Sequence, residues 1–362
     1  MSRIETRGRT AARRTVRRTR SLSERGLHAD VIVAGGGPAG AALSARLGSS
    51  GLRVLLADSE RFPRDKVCGD FVGPAALAEL AHLGVTDLPA YRATNIITAA
   101  ALYLDGEELI TRPIPQIAGL PPHGRVISRM ELDHWIFDSA RKAGAEIREG
   151  CRVTSFERRR THVEVTVRSE SGTRTLRGRV LVGADGSAST VARLMRGQGP
   201  CREDRIIGVR GYFEGVAGPE QQADLYFSRD SFPGYCWMFP TGRGTANVGL
   251  GMVPETLPPP EKHIREMLLG LIERDPAVRA RLRRARLRGR LMSWPLTTYN
   301  PGLPLVDDRV LLVGDAAGLI NPLNGEGIQY ALLSARWAAE TLLESARAGD
   351  FSAETQRNEQ QP

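Results

Sequence analysis

The stretch from Asp30 to Asp58, DVIVAGGGPAGAALSARLGSSGLRVLLAD, constrains the fold of this chain more than any other. It reads as a buried strand, a glycine-rich turn, a helix and a second buried strand, the opening βαβ unit of a doubly wound α/β domain. Gly35, Gly37 and Gly40 form a GxGxxG pattern in the turn. The first glycine permits the tight turn, the second lets backbone N–H groups approach a pyrophosphate, and the third lets the helix pack closely. The helix N-terminus stabilises the anion, and Pro38 and Ala39 belong to the same cradle. Alone, the pattern also fits an ordinary tight turn. Asp58 strengthens it, because a carboxylate at the end of the second strand, about 20 residues on, accepts hydrogen bonds from a ribose diol. An aspartate there disfavours a 2′-phosphate, so FAD or NAD is the expected ligand.

A chain of 362 residues has room for two domains. Its apolar and charged fractions, 41% and 25%, are those of an ordinary globular protein. It has no apolar run of the roughly 18 residues that a membrane-spanning helix needs. The net charge of +9 invites a nucleic-acid reading until it is located: residues 1–28 carry nine Arg and two Glu, most of the excess. The rest of the chain offers no basic reading element, so nucleic acid is not an expected partner. The arm is expected to be disordered and able to approach anionic headgroups, at roughly 1 kcal/mol per basic residue near the surface. It lacks the apolar segment of an export signal. The expected location is cytoplasmic, with peripheral membrane contact at most. Cys68, Cys151, Cys201 and Cys236 show no metal-binding spacing, and no metal is expected.

Ser128 and Glu131 stand in capping-box spacing ahead of Leu132, Trp135, Ile136 and Ala143, which predicts a helix. A three-stranded meander and a buried strand follow, up to GADG. Residues 205–298 alternate in several segments, predicting a mostly antiparallel sheet with a helix near Lys262 to Arg274. The expected organisation is an Arg-rich arm, 1–28; a cofactor domain in three stretches, 29–95, 125–204 and 299–348; a substrate domain from 96–124 and 205–298; and a polar tail, 349–362.

Two further turns select FAD. Asp185 in VLVGADG, and Gly314 and Asp315 in VLLVGDAAG, follow the C-terminal ends of buried strands, where doubly wound sheets bind ligands. An acidic acceptor there suits a ribityl or ribose hydroxyl. Gly325, Gly327 and Ile328 then open a long helix whose N-terminus suits the negative charge of a reduced flavin. The set GGGPAG, FPRDKVCGD at 62–70, GADG at 183–186 and GDAAGLINPLNGEGI at 314–328 resembles the geranylgeranyl reductase family of FAD-dependent enzymes, over nearly all of residues 29–345. The resemblance implies a p-hydroxybenzoate hydroxylase-like fold: a Rossmann-like FAD-binding domain with a mostly antiparallel substrate sheet. It is sharpest at Tyr235, Trp237, Phe239 and Pro240, followed by Gly249 and Gly251, a YxWxFP…GxG pattern similar to the family's lipid-site signature. By similarity these residues line a prenyl chain, and Cys68, Gly69, Arg129 and Val153 touch FAD. Read without the family, alternate aromatics on a strand simply pack one face of a sheet. Cys68 is either a redox or proton-delivery group, its pKa lowered by Lys66, or a small packing residue beside the flavin ring. A Cys68–Cys236 pairing is conceivable.

The implied reaction is saturation of isolated double bonds in a polyprenyl lipid. Flavin N5 supplies the hydride, Tyr235 or Cys68 the proton, and NAD(P)H or ferredoxin the electrons. Hydroxylation by a flavin monooxygenase is the alternative; halogenases carry WxWxIP where this chain has YxWxFP. A non-catalytic flavin-binding remnant is a further reading, because family members continue past the last FAD helix.

Overall fold

The computed structural model describes residues 26–201, 204–229, 232–253 and 264–358; the arginine-rich arm up to residue 25 lies outside them. Val31–Ala34, Val54–Ala57, Val180–Gly183 and Val310–Leu312 are buried along their whole length, so both faces of the sheet they form must be covered. That six-stranded sheet runs Val306–Asp307, Val310–Leu312, Val180–Gly183, Val31–Ala34, Val54–Ala57, Glu146–Arg148. All its pairs are parallel except the first. Helices Pro38–Gly48, Arg129–Lys142 and Ile328–Ala348 cover one face, where Leu43, Ile136, Phe137 and Leu332 pack with Val31, Val33 and Leu56. The other face, with Ile32, Leu55 and Leu181, is covered by the meander Arg152–Arg158, Val163–Ser169, Gly172–Gly178 and by the helix Thr190–Arg196.

The second sheet has seven strands, ordered Arg286–Thr297, Arg205–Glu214, Thr245–Met252, Tyr235–Gly242, Gln222–Phe227, Ala99–Leu104, Glu107–Pro113. Only Gln222–Phe227 and Ala99–Leu104 pair in parallel. Helices Ile264–Arg274 and Pro276–Leu282 pack on one face, against Val209, Tyr226, Cys236, Met238, Val248 and Leu250. The opposite face turns toward the first domain. Between the two lies a small sheet of Phe71–Val72, Gly124–Val126 and Asn95–Ile97.

Two departures from the sequence reading have physical causes. Helices Pro74–His82 and Pro276–Leu282, each with proline in its first turn, are too short to carry a clear periodic signal. The segment expected as a polar tail is docked as far as it is described. Phe351 is 1% exposed, its carbonyl accepts from Arg309 N–H at 2.9 Å, and the helix Ala353–Asn358 follows. One aromatic among polar neighbours anchors it, and the Gln356 amide donates to the Phe351 carbonyl at 2.8 Å. Among the described residues, no helix is long and apolar enough to cross a membrane.

The glycine turn is built to contact tolerance: a Cβ on Gly40 would fall 1.9 Å from the Gly35 carbonyl oxygen and 2.9 Å from Ala184 Cβ. Gly40→Ala is therefore expected to destabilise the protein by about 1–3 kcal/mol. A thermal unfolding midpoint unchanged from wild type would contradict this packing.

Candidate active site

Gly35 has a φ of +107°, and a Cβ there would lie 2.3 Å from the Ala184 carbonyl oxygen. The ends of two neighbouring parallel strands thus meet at the turn. Gly37 caps the first helix without a side-chain bond, and the first intrahelical bond runs from Ala41 N–H to the Gly37 carbonyl at 2.9 Å. The Ala39 and Gly40 N–H groups stay outside that ladder, as an anion cradle requires. Asp58 is held against the turn, accepting from Gly36 N–H at 2.5 Å and Glu60 N–H at 2.7 Å.

Arg64, to which the sequence reading gives no role, folds back over this turn. Its Nη2 lies 3.5 Å from where a Cβ on Gly37 would be, and its guanidinium sits 4.9 Å over the Phe62 ring. Arg64 and Arg129 share one buried carboxylate: Arg64 Nη1 donates to Asp133 Oδ2 at 2.8 Å, and Arg129 grips Asp133 with two bonds of 2.6 and 2.8 Å. Two guanidiniums against one carboxylate leave a positive surplus beside the glycine turn, the chemistry a pyrophosphate needs. The sequence signal was the arginine of FPRDKVCGD; its contact with Gly37 depends on how the loop returns.

The Asp185 reading is corrected. Its carboxylate accepts from Ser189 Oγ and from the N–H groups of Thr190 at 2.7 Å and Val191 at 3.2 Å, so it caps the helix that follows instead of waiting for a ribityl or ribose hydroxyl. Burial raises its pKa. Asp315 stays at the ligand face: Oδ2 accepts from Ser187 Oγ at 3.2 Å and faces Lys66 Nζ at 4.0 Å, and Oδ1 lies 3.4 Å from a would-be Cβ on Gly327. Gly314 has a φ of +57°, and a Cβ there would sit 2.8 Å from Ala39 Cβ. The GDAAG turn therefore rests on the first helix. Gly325 has a φ of +66°, and Gly327 is the N-cap of the helix beginning at Ile328. The first bond of that helix is from Ala331 N–H, leaving the preceding N–H groups at its open end. The Val153 side chain is buried between the main sheet and the meander, in a cluster with Ala34 and Ala57.

The strand Tyr235–Gly242 divides its side chains between two faces. Cys236 and Met238 are fully buried under the helices of the second domain, while Tyr235, Trp237 and Phe239 face the Cys68–Gly69 loop. A Cβ on Gly69 would lie 3.0 Å from the Phe239 ring and 3.2 Å from the Trp237 indole nitrogen. The rings follow one another at 6.3 Å, and Phe71 joins Phe239 at 5.4 Å. The register pairs Trp237 with Gly249 and Tyr235 with Gly251. A Cβ on Gly249 would collide with the Trp237 ring at 2.2 Å. Gly249, read from the family pattern as a substrate contact, is therefore the seat of the indole; a Cβ on Gly251 would be 3.7 Å from the same ring. Cys236 and Cys68 are both free thiols on opposite sides of this strand, which removes their pairing.

Behind the rings lies a polar network that sequence reading missed. Asn247 accepts the Trp237 indole N–H at 2.9 Å and donates to the Cys68 carbonyl and to Asp70 Oδ2, each at 2.8 Å. Tyr212 O–H also donates to Asp70 Oδ2. Asp70 is fully buried, has a φ of +64°, and its Oδ1 has no hydrogen-bond partner among the described residues. Burial pushes its pKa up to about 6, against the bonds from Tyr212 and Asn247 and the charges of Arg210 and Arg129. The Cys68 pKa is also raised by burial, with Arg129 opposing, so the expected lowering by Lys66 does not occur. Lys66 faces Asp315 and the Trp294 ring, and burial lowers its own pKa. Tyr235 donates its O–H to the Asn324 carbonyl; burial, then the Glu326 charge, push its pKa up to about 12.

A second sheet hydrogen-bonded to the loop beyond a dinucleotide cradle is the arrangement of an FAD-dependent oxidoreductase. The family model described as FAD binding domain matches residues 28–244. The menaquinone reductase of Mycobacterium tuberculosis is 31% identical over 329 residues, covering 87% of this chain and 76% of that one. Digeranylgeranylglycerophospholipid reductase 2 of Methanopyrus kandleri is 28% identical over 337 residues, covering 90% and 79%. A geranylgeranyl bacteriochlorophyll reductase-like protein of Thermoplasma acidophilum, a solved structure, matches with a TM-score of 0.81 at 24% identity, covering 91% and 82%. The chain belongs to the geranylgeranyl reductase family of FAD-dependent oxidoreductases, with a p-hydroxybenzoate hydroxylase-like fold.

The residues present suit FAD, with Arg64, Arg129 and the Gly37 turn meeting the pyrophosphate and Asp58 and Asp315 available to hydroxyls. Arg64→Ala is expected to weaken FAD binding roughly ten- to a hundredfold, the worth of one charge-assisted hydrogen bond at about 1.5–3 kcal/mol; fluorescence titration of the apoprotein checks it. Asp70 adds a pH signature. Between its unfolded pKa of 3.8 and its folded value of about 6, the folded protein holds a proton that the unfolded chain releases, so stability from this group falls as pH rises through that window. Asp70→Asn should remove that part of the slope, seen as a smaller difference in urea unfolding free energy between acidic and neutral pH than in wild type.

Proposed function

We propose that this protein saturates isolated carbon–carbon double bonds in a polyprenyl lipid, the prenyl tail of a quinone being the first candidate. The observation that carries the reading is the wall of Tyr235, Trp237 and Phe239 over the Cys68–Gly69 loop, with every polar partner of Trp237 behind it. Such a wall suits a ligand that offers no hydrogen bonds, for which burial at about 25 cal/mol per Å² supplies most of the affinity. The names of the relatives, reductases of menaquinone and of geranylgeranyl lipids, point the same way.

An isolated alkene is not polarised, so its reduction needs a hydride on one carbon and a proton on the other. Bound reduced flavin supplies the hydride. The protein holds the alkene against the rings, excludes water and delivers the proton, with reacting atoms about 3–3.5 Å apart. NAD(P)H or ferredoxin is the external electron source in this reading. A lipid substrate brings the protein to a membrane surface from the cytoplasmic side, and the basic arm, residues 1–28, is suited to hold it there.

The test is mass spectrometry of prenylated quinones and diterpenyl lipids after anaerobic incubation with dithionite-reduced holoprotein. A gain of two hydrogens per double bond is expected. Oxygen-dependent hydroxylation instead, or bound FAD with no turnover of any prenyl lipid, would overturn the reading.

A further inference from the structure

The two acids available from the sequence are poor ones in their folded setting. The Tyr235 hydroxyl is committed to the Asn324 carbonyl and pushed to about 12, and burial raises the Cys68 thiol. Asp70 is more acidic, but it is enclosed behind Trp237 by Tyr212 and Asn247. The fold brings a fourth acid to the front of the aromatic wall, from a segment about ninety residues further along the chain.

Glu326 sits in the turn before the last cofactor-domain helix. Its backbone is fixed on both sides: its N–H donates to Asn324 Oδ1 at 3.0 Å, its carbonyl accepts from Asn321 N–H at 3.0 Å, and Gly325 N–H closes the turn onto the Asn321 carbonyl at 2.9 Å. The side chain points at the small sheet between the domains. Its Oε1 lies 3.2 Å from where a Cβ on Gly73 would be, with Gln329 Oε1 and Phe71 Cε1 each at 3.8 Å from the same point. Phe71 is the ring that extends the wall beyond Phe239. On the other side, a Cβ on Gly325 would lie 3.7 Å from the Tyr235 hydroxyl. The carboxyl is half-buried and has no cationic partner among the described residues. Nothing there compensates its charge, and burial raises its pKa, with only the Asn324 side chain opposing.

We propose that the Glu326 carboxyl is the acid that protonates the prenyl double bond, delivered by the 321–326 turn to the space bounded by Tyr235, Phe239, Phe71 and Gly73. This rests on the reductase reading above. In the step, the hydride pair from the reduced cofactor forms a C–H bond at one alkene carbon. The Glu326 O–H bond breaks, and its proton forms the C–H bond at the other. The alkene gains two electrons and two hydrogens, the cofactor is oxidised by two electrons, and the Glu326 carboxylate is left to take its next proton from solvent. Asn324 and Gly325 are exposed beside it, which gives that proton a short route. Tyr235 in this scheme holds the turn through Asn324 and sets the distance between carboxyl and wall; it is a positioning residue.

The experiment follows anaerobic reoxidation of the reduced FAD holoprotein by a detergent-solubilised prenylated naphthoquinone, with product mass spectra, for wild type, Glu326→Gln and Glu326→Asp. FAD affinity of each apoprotein is measured separately by fluorescence titration. The wild-type rate of alkene saturation should fall as pH rises through the raised Glu326 pKa, because the protonated form is required. The other titratable groups facing the turn are Tyr235 and, across Gly327, Asp315. Glu326→Gln should keep wild-type FAD affinity, lose roughly a hundredfold or more of the saturation rate and lose the alkaline fall; Glu326→Asp should keep part of the rate and the fall. Saturation by Glu326→Gln within about twofold of wild type, or a rate loss matched by loss of FAD, overturns the proposal and leaves the reductase reading standing. A wild-type protein that saturates no double bond overturns both.

Discussion

The Asn247 carboxamide ties the two domains at the point where chemistry is expected. It uses its oxygen on the Trp237 indole and both amide hydrogens on the opposite domain, one on the Cys68 carbonyl and one on Asp70. All three bonds lie between 2.8 and 2.9 Å, within the normal range. The amide has no rotational freedom left, and neither has the indole it holds. Gly249 completes the arrangement from below, because only a residue without a side chain leaves room for the ring. The wall's shape is thus set by a buried polar contact, although the surface it presents is apolar.

How much was legible in the sequence depended on whether a residue acts through its neighbours in the chain. The GxGxxG turn, the strand-end aspartates and the glycines before Ile328 are local devices, and the architecture they imply is the one found. Asp185 misled because a strand-end aspartate also suits a helix cap, and Ser189 and the Thr190 amide are only four and five residues away. Arg64, Asp70, Tyr212 and Asn247 were missed for the opposite reason. Asn247 meets a partner 179 residues away and Tyr212 one 142 residues away, and no periodicity records such a distance. The lowered Cys68 pKa failed because a lysine two residues away in sequence turns toward Asp315.

Charge is unevenly used across the site. At the glycine turn, two arginines exceed the one carboxylate they share, leaving positive potential for an anion. At the aromatic wall the buried acids exceed their partners: Asp70 keeps an oxygen without a bond and Glu326 has no cation. The first condition favours holding a diphosphate; the second favours holding protons at a pH where ordinary carboxyls have released them. One molecule keeps these apart by placing Cys68, Gly69 and the Trp237 ring between them.

The interleaving of the domains bears on how the protein is made. Val31–Ala34 finds Val54–Ala57 within a short span, but its other neighbour, Val180–Gly183, comes about 150 residues later, and Val310–Leu312 must follow to complete that side. The strand Ala99–Leu104 waits likewise for Gln222–Phe227. Early in synthesis the chain carries strands with open edges on both sheets, the condition under which nascent chains associate wrongly. The last helix and the docked Phe351 close the cofactor sheet, so the site exists only when nearly the whole chain has emerged. Such a topology folds slowly and depends on chaperones or on early capture of its cofactor more than its modest size suggests.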